Sequence, residues 1–455
     1  MFKAFLNAFK VKELRAKLLF TAGIIIMERI TANIPCPGVD PKALANYLHK
    51  IGGDDVNNSF MGLMDIFSGG AIGKFAIGTL GIMPYISASI IMQLLVPVLP
   101  SLEKMVREGE SGRQKIHQYT RYLCLVICLI QGAVAAMAMV NPSRLGLPTP
   151  DVSLTTHSGG LFICMSILIL SCATMVLMWM GEKITEHGIG NGISILITVN
   201  IIARMPDALI QLFELVRTGG GIGSMNFKPV HLLILLMVFG LVTAFTIVLT
   251  QGQRRVPIQM IQKGYGNMHM QSGTTYLPLK VNFSGVMPII FAGAIISVPE
   301  MVLRWMPYTF TRNLATYFSY GGMPYTVLYG LLIILFAFFW VANQFNPIQI
   351  SDNLKKEGAF IPGIRPGQPT SDFLDSTMTK ITFAGSLFLL ALAVFPMFLY
   401  NSFKIPFMIA SFFGGTSLLI MVGVTLDTLS QLESQLTMRN YEGFLKHGRL
   451  RSRRS

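Results

Sequence analysis

Seven histidines and five cysteines could ligate a metal or supply a nucleophile, and their spacing supports neither chemistry. The histidines stand at 49, 117, 157, 187, 231, 269 and 447, with no two at the three- or four-residue separation that puts paired imidazoles on one helix face. Cys124, Cys128, Cys164 and Cys172 fall inside apolar runs and only Cys36 lies outside one, which suits packing and gives no disulfide framework or metal knot. SGGAIGK (68–74) resembles a phosphate loop, but Ser68 replaces its first glycine and Phe75 follows the lysine where a hydroxyl should hold magnesium. GIGNG (188–192) lacks the dinucleotide spacing and opens an apolar segment instead of following a strand, so it reads as a helix-start loop. No catalytic, metal-binding or cofactor-binding residue is expected, and no enzyme activity. Glu28 and Arg29 are the ionisable pair inside an apolar run; mutual pairing or snorkelling explains them more simply than an ion relay.

The chain that carries these residues is 52% hydrophobic and 13% charged over 455 residues, far more apolar than a soluble domain. Crossing a bilayer takes about 20 apolar residues. Ten such stretches are readable, at 18–34, 75–97, 121–140, 160–180, 190–205, 230–250, 283–303, 324–343, 381–400 and 405–427. The expected fold class is an all-α polytopic membrane protein. An even number of spans puts both termini on one side. That side holds 25 of the 36 Lys and Arg residues, the other holds 10, and Arg29 lies within the first span. The positive-inside bias then makes the termini cytoplasmic. The net charge of +14 gives the cytosolic face an attraction for anionic partners. MFKAFLNAFKVKELRAK (1–17) is cationic and amphipathic, with no cleavage site, and reads as an interfacial helix.

Ten spans divide into five and five, at 18–212 and 230–427, joined by an external hinge at 213–229 that contains GGGIG (219–223). Because five is odd, the halves have opposite orientations, the arrangement of an inverted repeat around a central path. Two loops on the terminal side, 251–282 and 344–380, are long enough to carry function, and a basic tail occupies 428–455. The second loop is rich in Pro and Gly, which predicts a projecting, turn-rich shape built to dock a partner. The stretch FSGGAIGKFAIGTLGIMPYISASIIMQLL (67–95) is glycine-loosened, broken by Pro84 and charged only at Lys74. Such backbone is tolerated at membrane depth only against protein or a water-filled cavity, so it is expected to line a passage. Span count alone also suits a secondary transporter of small solutes.

Seven runs are more specific. PCPG (35–38), GTLGIMPYISASIIMQLL (78–95), REGESGRQKIHQYTRY (107–122), GEKITEHGIGNGISILI (181–197), TYLPLKVNFSGVMPIIFA (275–292), NQFNPIQISDNLKKEGAFIPGIRPGQPT (343–370) and FGGTSLLIMVGVTLD (413–427) occur in order along the chain. Together they resemble the SecY/Sec61-alpha family, the protein-conducting channels of Sec translocases.

The resemblance implies a channel that moves unfolded secretory polypeptides across the membrane and releases membrane helices sideways into lipid. It implies an hourglass pore closed by a ring of Ile82, Ile86, Ile193, Ile197, Ile290 and Ile420. Aliphatic side chains in a narrow ring exclude water and ions, yet offer no hydrogen bond to hold a passing chain. A short plug helix is implied at Asp65, Ile66, Phe67, Ser68, Gly69, Gly70, Ala71, Ile72, Gly73 and Lys74, whose glycines reduce side-chain anchoring. A lateral gate to lipid would use Ser87, Gln93, Gln131 and Asn282. Arg254, Arg255, Lys355, Lys356 and Arg365 would serve partners, although QMIQK (259–263) departs from the family's more basic run. The implied partners are SecE and SecG subunits, the SecA motor ATPase, the translating ribosome with its RNA, signal peptides, nascent chains and membrane lipid.

Overall fold

The computed structural model describes residues 11–51, 65–142, 153–155, 159–218, 229–260, 275–305, 310, 314, 317, 322–403, 405 and 407–447. GGGIG, the first ten residues, the end of QMIQK and the last residues of the basic tail lie outside these. The helices are α1 (Lys12–Asn33), α2 (Pro41–Ile51), α3 (Met83–Val98), α4 (Pro100–Arg107), α5 (Glu110–Val140), α6 (Gly159–His187), α7 (Gly192–Thr218) and α8 (Pro229–Gln251). They continue as α9 (Met287–Trp305), α10 (Met323–Gln344), α11 (Pro347–Lys356), α12 (Gln368–Phe403), α13 (Phe407–Phe412) and α14 (Gly415–His447). Among the described residues seven helices are long and apolar enough to cross a membrane, or eight if α3 and α4, bent by 102° at Leu99, form one broken span. The two remaining expected spans are also helical. One is α1, which carries four charged residues in its first six positions, and the other is the 19-residue α9. The span expected at 75–97 starts as a helix only at Met83, because Phe75 (φ 43°) and Gly81 (φ 54°) are left-handed and Pro84 opens α3.

The chain forms two compact units, 1–210 with 420–455, and 211–419. In the first unit α5 packs between α3 and α6. Thr120, Cys124, Cys128, Gly132 and Ala136, spaced by four, are the buried stripe of α5, and a Cβ on Gly132 would touch the Ile167 backbone of α6 at 3.6 Å. Small residues let membrane helices approach this closely. The two cysteines of that stripe are packing residues, as expected, while Cys164 and Cys172 are exposed. Leu14 of α1, Ile189 and Leu432 of α14 form a separate buried cluster.

GIGNG is the turn between α6 and α7. Gly190 is left-handed (φ 81°), the Asn191 Oδ1 accepts the Ser194 amide at 3.2 Å, and the Thr185 hydroxyl accepts the Gly192 amide at 2.9 Å. A Cβ on Gly192 would collide with the Gly181 carbonyl. Gly192→Ala is therefore expected to destabilise this unit by about 1–3 kcal/mol, the usual cost of overpacking, seen as a lower thermal unfolding midpoint in detergent.

The second unit contains something the all-helical expectation lacked, a three-stranded sheet of β1 (Gln253–Met260), β2 (Thr275–Lys280) and β3 (Ala359–Phe360) in the order β2-β1-β3. Both ladders are antiparallel, with Arg254 opposite Leu279 and Met260 opposite Ala359. The strands form because Val256 and Ile258 alternate with exposed Arg255 and Pro257, and Leu279 lies between exposed Pro278 and Lys280, so that one face is buried. That face joins Val341 and Phe345 at the end of α10, Ile361, and Leu374 and Met378 of α12 in one core. Elsewhere in the unit Phe291 of α9 stacks on Phe336 of α10, and Phe245 of α8 meets Phe388 of α12 edge-on.

Candidate functional site

Residues 65–74 are not one continuous helix. A helical turn at 65–67 passes through the left-handed Gly69 and Gly70 into a 3-10 turn, Ile72–Lys74. Two consecutive positive-φ residues break the helical ladder, and Asp65 closes the loop: its carbonyl accepts the Gly70 amide at 2.9 Å and its Oδ1 accepts the Gly73 amide at 3.1 Å. Ile66, Ser68 and Ala71 are buried, while Phe67 and Ile72 are half-buried. Ala71 packs with Ala76 and with Ala32 of α1. At the far end the Lys74 Nζ donates to Asn33 Oδ1 at 2.7 Å, and Phe75 packs obliquely on Phe162 of α6. Cys36 follows α1 nearby, its amide donating to the Phe75 carbonyl at 2.9 Å, and burial pushes its thiol pKa up.

A belt of polar side chains surrounds this segment. Glu28, 2% exposed, receives Arg29 Nη2 at 2.5 Å and Nε at 2.7 Å, and Arg29 also donates to Asn200 of α7. Arg204 of α7 donates to Asp65 and, at 2.7 Å, to Asp207. The glycines are where these guanidiniums press closest. A Cβ on Gly69 would lie 2.6 Å from Arg29 Nη1, and one on Gly70 would lie 2.9 Å from Arg204 Nε. Glu28 and Arg29 thus pair as expected and also reach another helix. Asn200 and Arg204 are not among the expected site residues, although both lie inside the fifth apolar run: Arg204 stands one residue from its end at 205 and reads as a boundary charge, whereas α7 runs to Thr218 and holds Arg204 in its interior. The signal that would have found them is a charge and an amide four residues apart in an apolar run.

Of the six isoleucines, Ile82, Ile86 and Ile420 are buried at 2%, 8% and 4% exposure. Ile193, Ile197 and Ile290 are half-buried, and none of the six is among the exposed apolar residues. Ile82 and Ile86 are linked through one turn, the Ile86 amide donating to the Ile82 carbonyl at 3.1 Å. Ile193 lies over Gly181 of α6, where a Cβ would sit 3.0 Å from its Cγ1.

Three of the four residues assigned to a lateral gate share one property. Gln93, Gln131 and Asn282 each carry a buried amide oxygen with no hydrogen-bond partner among the described residues. Gln93 also donates to Ser89 Oγ at 3.3 Å, and Ser87 is half-buried.

The five basic residues expected to serve partners are all exposed: Arg254 and Arg255 on β1, Lys355 and Lys356 in the last turn of α11, and Arg365 in the turn before α12. The loop expected to be turn-rich also carries a helix, because Asn346 caps α11 by accepting the Gln349 amide at 3.1 Å and Pro347 opens it. After β3 the chain turns at Gly363 (φ 84°) and Gly367 (φ 106°), holding Arg365 between them. Thr370 Oγ1 donates to the Arg365 carbonyl at 2.8 Å, Ser351 Oγ donates to the Gly367 carbonyl at 2.7 Å, and Ile361 is buried beneath. One sheet and one core therefore support both basic loops.

The family model described as SecY matches residues 76–429. The protein translocase subunit SecY of Streptomyces coelicolor is 41% identical over 463 residues, covering 98% of this chain and 100% of the relative. Among solved structures, a protein-conducting channel superposes with a TM-score of 0.60 at 17% identity, covering 92% of both chains. The Sec61 channel of a canine ribosome-channel complex gives 0.55 at 16% identity, again over 92% of both.

Proposed function

The chain belongs to the SecY family, and from that membership we propose that it is the channel through which unfolded secretory polypeptides cross the cytoplasmic membrane and from which membrane helices leave sideways into lipid. It is a protein-conducting channel and not an enzyme. The observation that carries the detailed reading is the segment 65–74, a glycine-kinked plug seated against α1 and α7 in the unit that supplies five of the six isoleucines. In this reading Ile82, Ile86, Ile193, Ile197, Ile290 and Ile420 form the apolar waist between two inverted five-helix halves. Gln93, Gln131, Asn282 and Ser87 line the lateral gate, where buried amides between helices contribute only about 0.6–2 kcal/mol each and allow reversible closure. SecE and SecG complete the complex, and the termini and both basic loops face the cytoplasm. The sheet-supported platform, with Arg254, Arg255, Lys355, Lys356 and Arg365 exposed, receives the SecA motor and the translating ribosome; the ribosome-bound relative supports the second of these.

Reconstituting the chain in liposomes with SecE and SecA tests this. The expected result is ATP-dependent protection of a presecretory protein from external protease. Saturable uptake of a small solute without such protection would overturn it in favour of a transporter.

A further inference from the structure

We propose that Asp65 and Arg204, backed by Arg29, Glu28 and Asn200, form a polar latch that holds segment 65–74 shut and sets how strong a signal sequence must be to open the channel. The proposal rests on the reading of 65–74 as a displaceable plug. A glycine-rich segment has little apolar area to hold it; Ile66 is its only large buried side chain. Its hold on α7 is instead polar. Asp65 uses one carboxylate oxygen to brace its own loop at the Gly73 amide and the other to accept from Arg204, so breaking the pair frees the start of the segment and loosens its end.

The two glycines complete the seat. Gly69 lies against Arg29 and Asn200, and Gly70 against the Arg204 guanidinium; a Cβ at either would come within 2.9 Å of these groups and force them to shift. Arg29 cannot swing away to solvent because Glu28, 2% exposed, binds it through two nitrogens. Arg204 is braced from its other side by Asp207. Both guanidiniums are thus positioned before the plug arrives, and lifting the plug strips Arg204 of one carboxylate and uncovers Arg29. With side chains about one-fifth exposed, at 21% and 20%, the Asp65–Arg204 pair is drier than a surface pair and less screened. The latch therefore adds an electrostatic threshold that a client must overcome in addition to wetting the apolar waist.

The test uses the full chain in its membrane complex, with export of a reporter enzyme that carries a defective signal sequence. Asp65→Asn, which is isosteric, and Arg204→Gln, which is shorter but still polar and uncharged, are each expected to raise that export about tenfold, the effect of one coupled pair. The double variant is expected to go no further than either single one. Immunoblotting for the intact chain and ion conductance of the reconstituted complex in planar bilayers separate loosened closure from misfolding. Independent, multiplying effects of the two substitutions would overturn the latch. So would unchanged export and conductance in both, if deletion of 65–74 raises them; the plug would then stand without a latch. If the deletion also changes nothing, the plug reading falls and the latch with it.

Discussion

Replacing Ile86 with Asn is expected to let the channel export precursors with defective signals at between about five and 150 times the normal rate. An unpaired amide in a dry constriction costs about 1–3 kcal/mol, and the corresponding population shift is about 5–150-fold. The cost falls on the closed state alone, because a wetted or chain-filled waist offers the amide hydrogen bonds. Ile86 is 8% exposed and sits one turn into α3, after the left-handed Gly81, so its side chain has nowhere to turn for water. Ile290→Asn, at a half-buried position, should fall at the lower end of the range. Ile86→Val keeps the site apolar and should leave signal stringency unchanged while trimming stability slightly. Export of a reporter enzyme and ion conductance of the reconstituted complex measure both sides of this. Unaltered stringency and ion tightness in Ile86→Asn would remove that residue from the waist. A client can supply the opening energy: about ten apolar residues at about −0.5 kcal/mol each contribute roughly 5 kcal/mol, close to the ~5.5 kcal/mol that inverts a 1:99 equilibrium.

Arg365→Glu should reduce motor-driven export by about thirtyfold or more while the protein stays folded. The loss of one hydrogen-bonded charge pair at an interface costs about 2–5 kcal/mol, and 2 kcal/mol corresponds to about thirtyfold in affinity; reversal of charge adds repulsion. The side chain is exposed, and the bond from Thr370 is made to the Arg365 carbonyl, so the turn survives the substitution. Arg365→Lys keeps the charge without the bidentate fork and should give an intermediate rate. Export at the normal rate in Arg365→Glu, at saturating ATP and limiting motor, would remove Arg365 from the docking surface.

The membrane class is legible from hydropathy, since lipid forces the backbone into uninterrupted apolar helices whose length is set by the bilayer. Long motifs identify the family, and the turn role of GIGNG follows from glycines standing where a helix must begin. Other features are invisible for specific reasons. The β1–β2–β3 sheet joins segments about a hundred residues apart, and its short alternating strands carry no signal strong enough to rise above loop chemistry. The glycines of 65–74 suggest a loosened segment when met as sequence, yet they serve close approach. Whether a missing side chain frees a segment or lets a neighbour press on it depends on what stands opposite, here Arg29 and Arg204.

By itself, then, the amino-acid order determined that this chain lives in a bilayer and which family it belongs to, because these follow from local hydrophobicity and from long runs of particular residues. Only the tertiary structure decided that Asp65 meets Arg204 across 139 positions, that Arg29 meets Asn200 across 171, and that two basic loops stand on one sheet. Such pairings depend on which helix faces come together, and a one-residue change of rotation, about 100° of helix, would send the same charges to lipid or solvent.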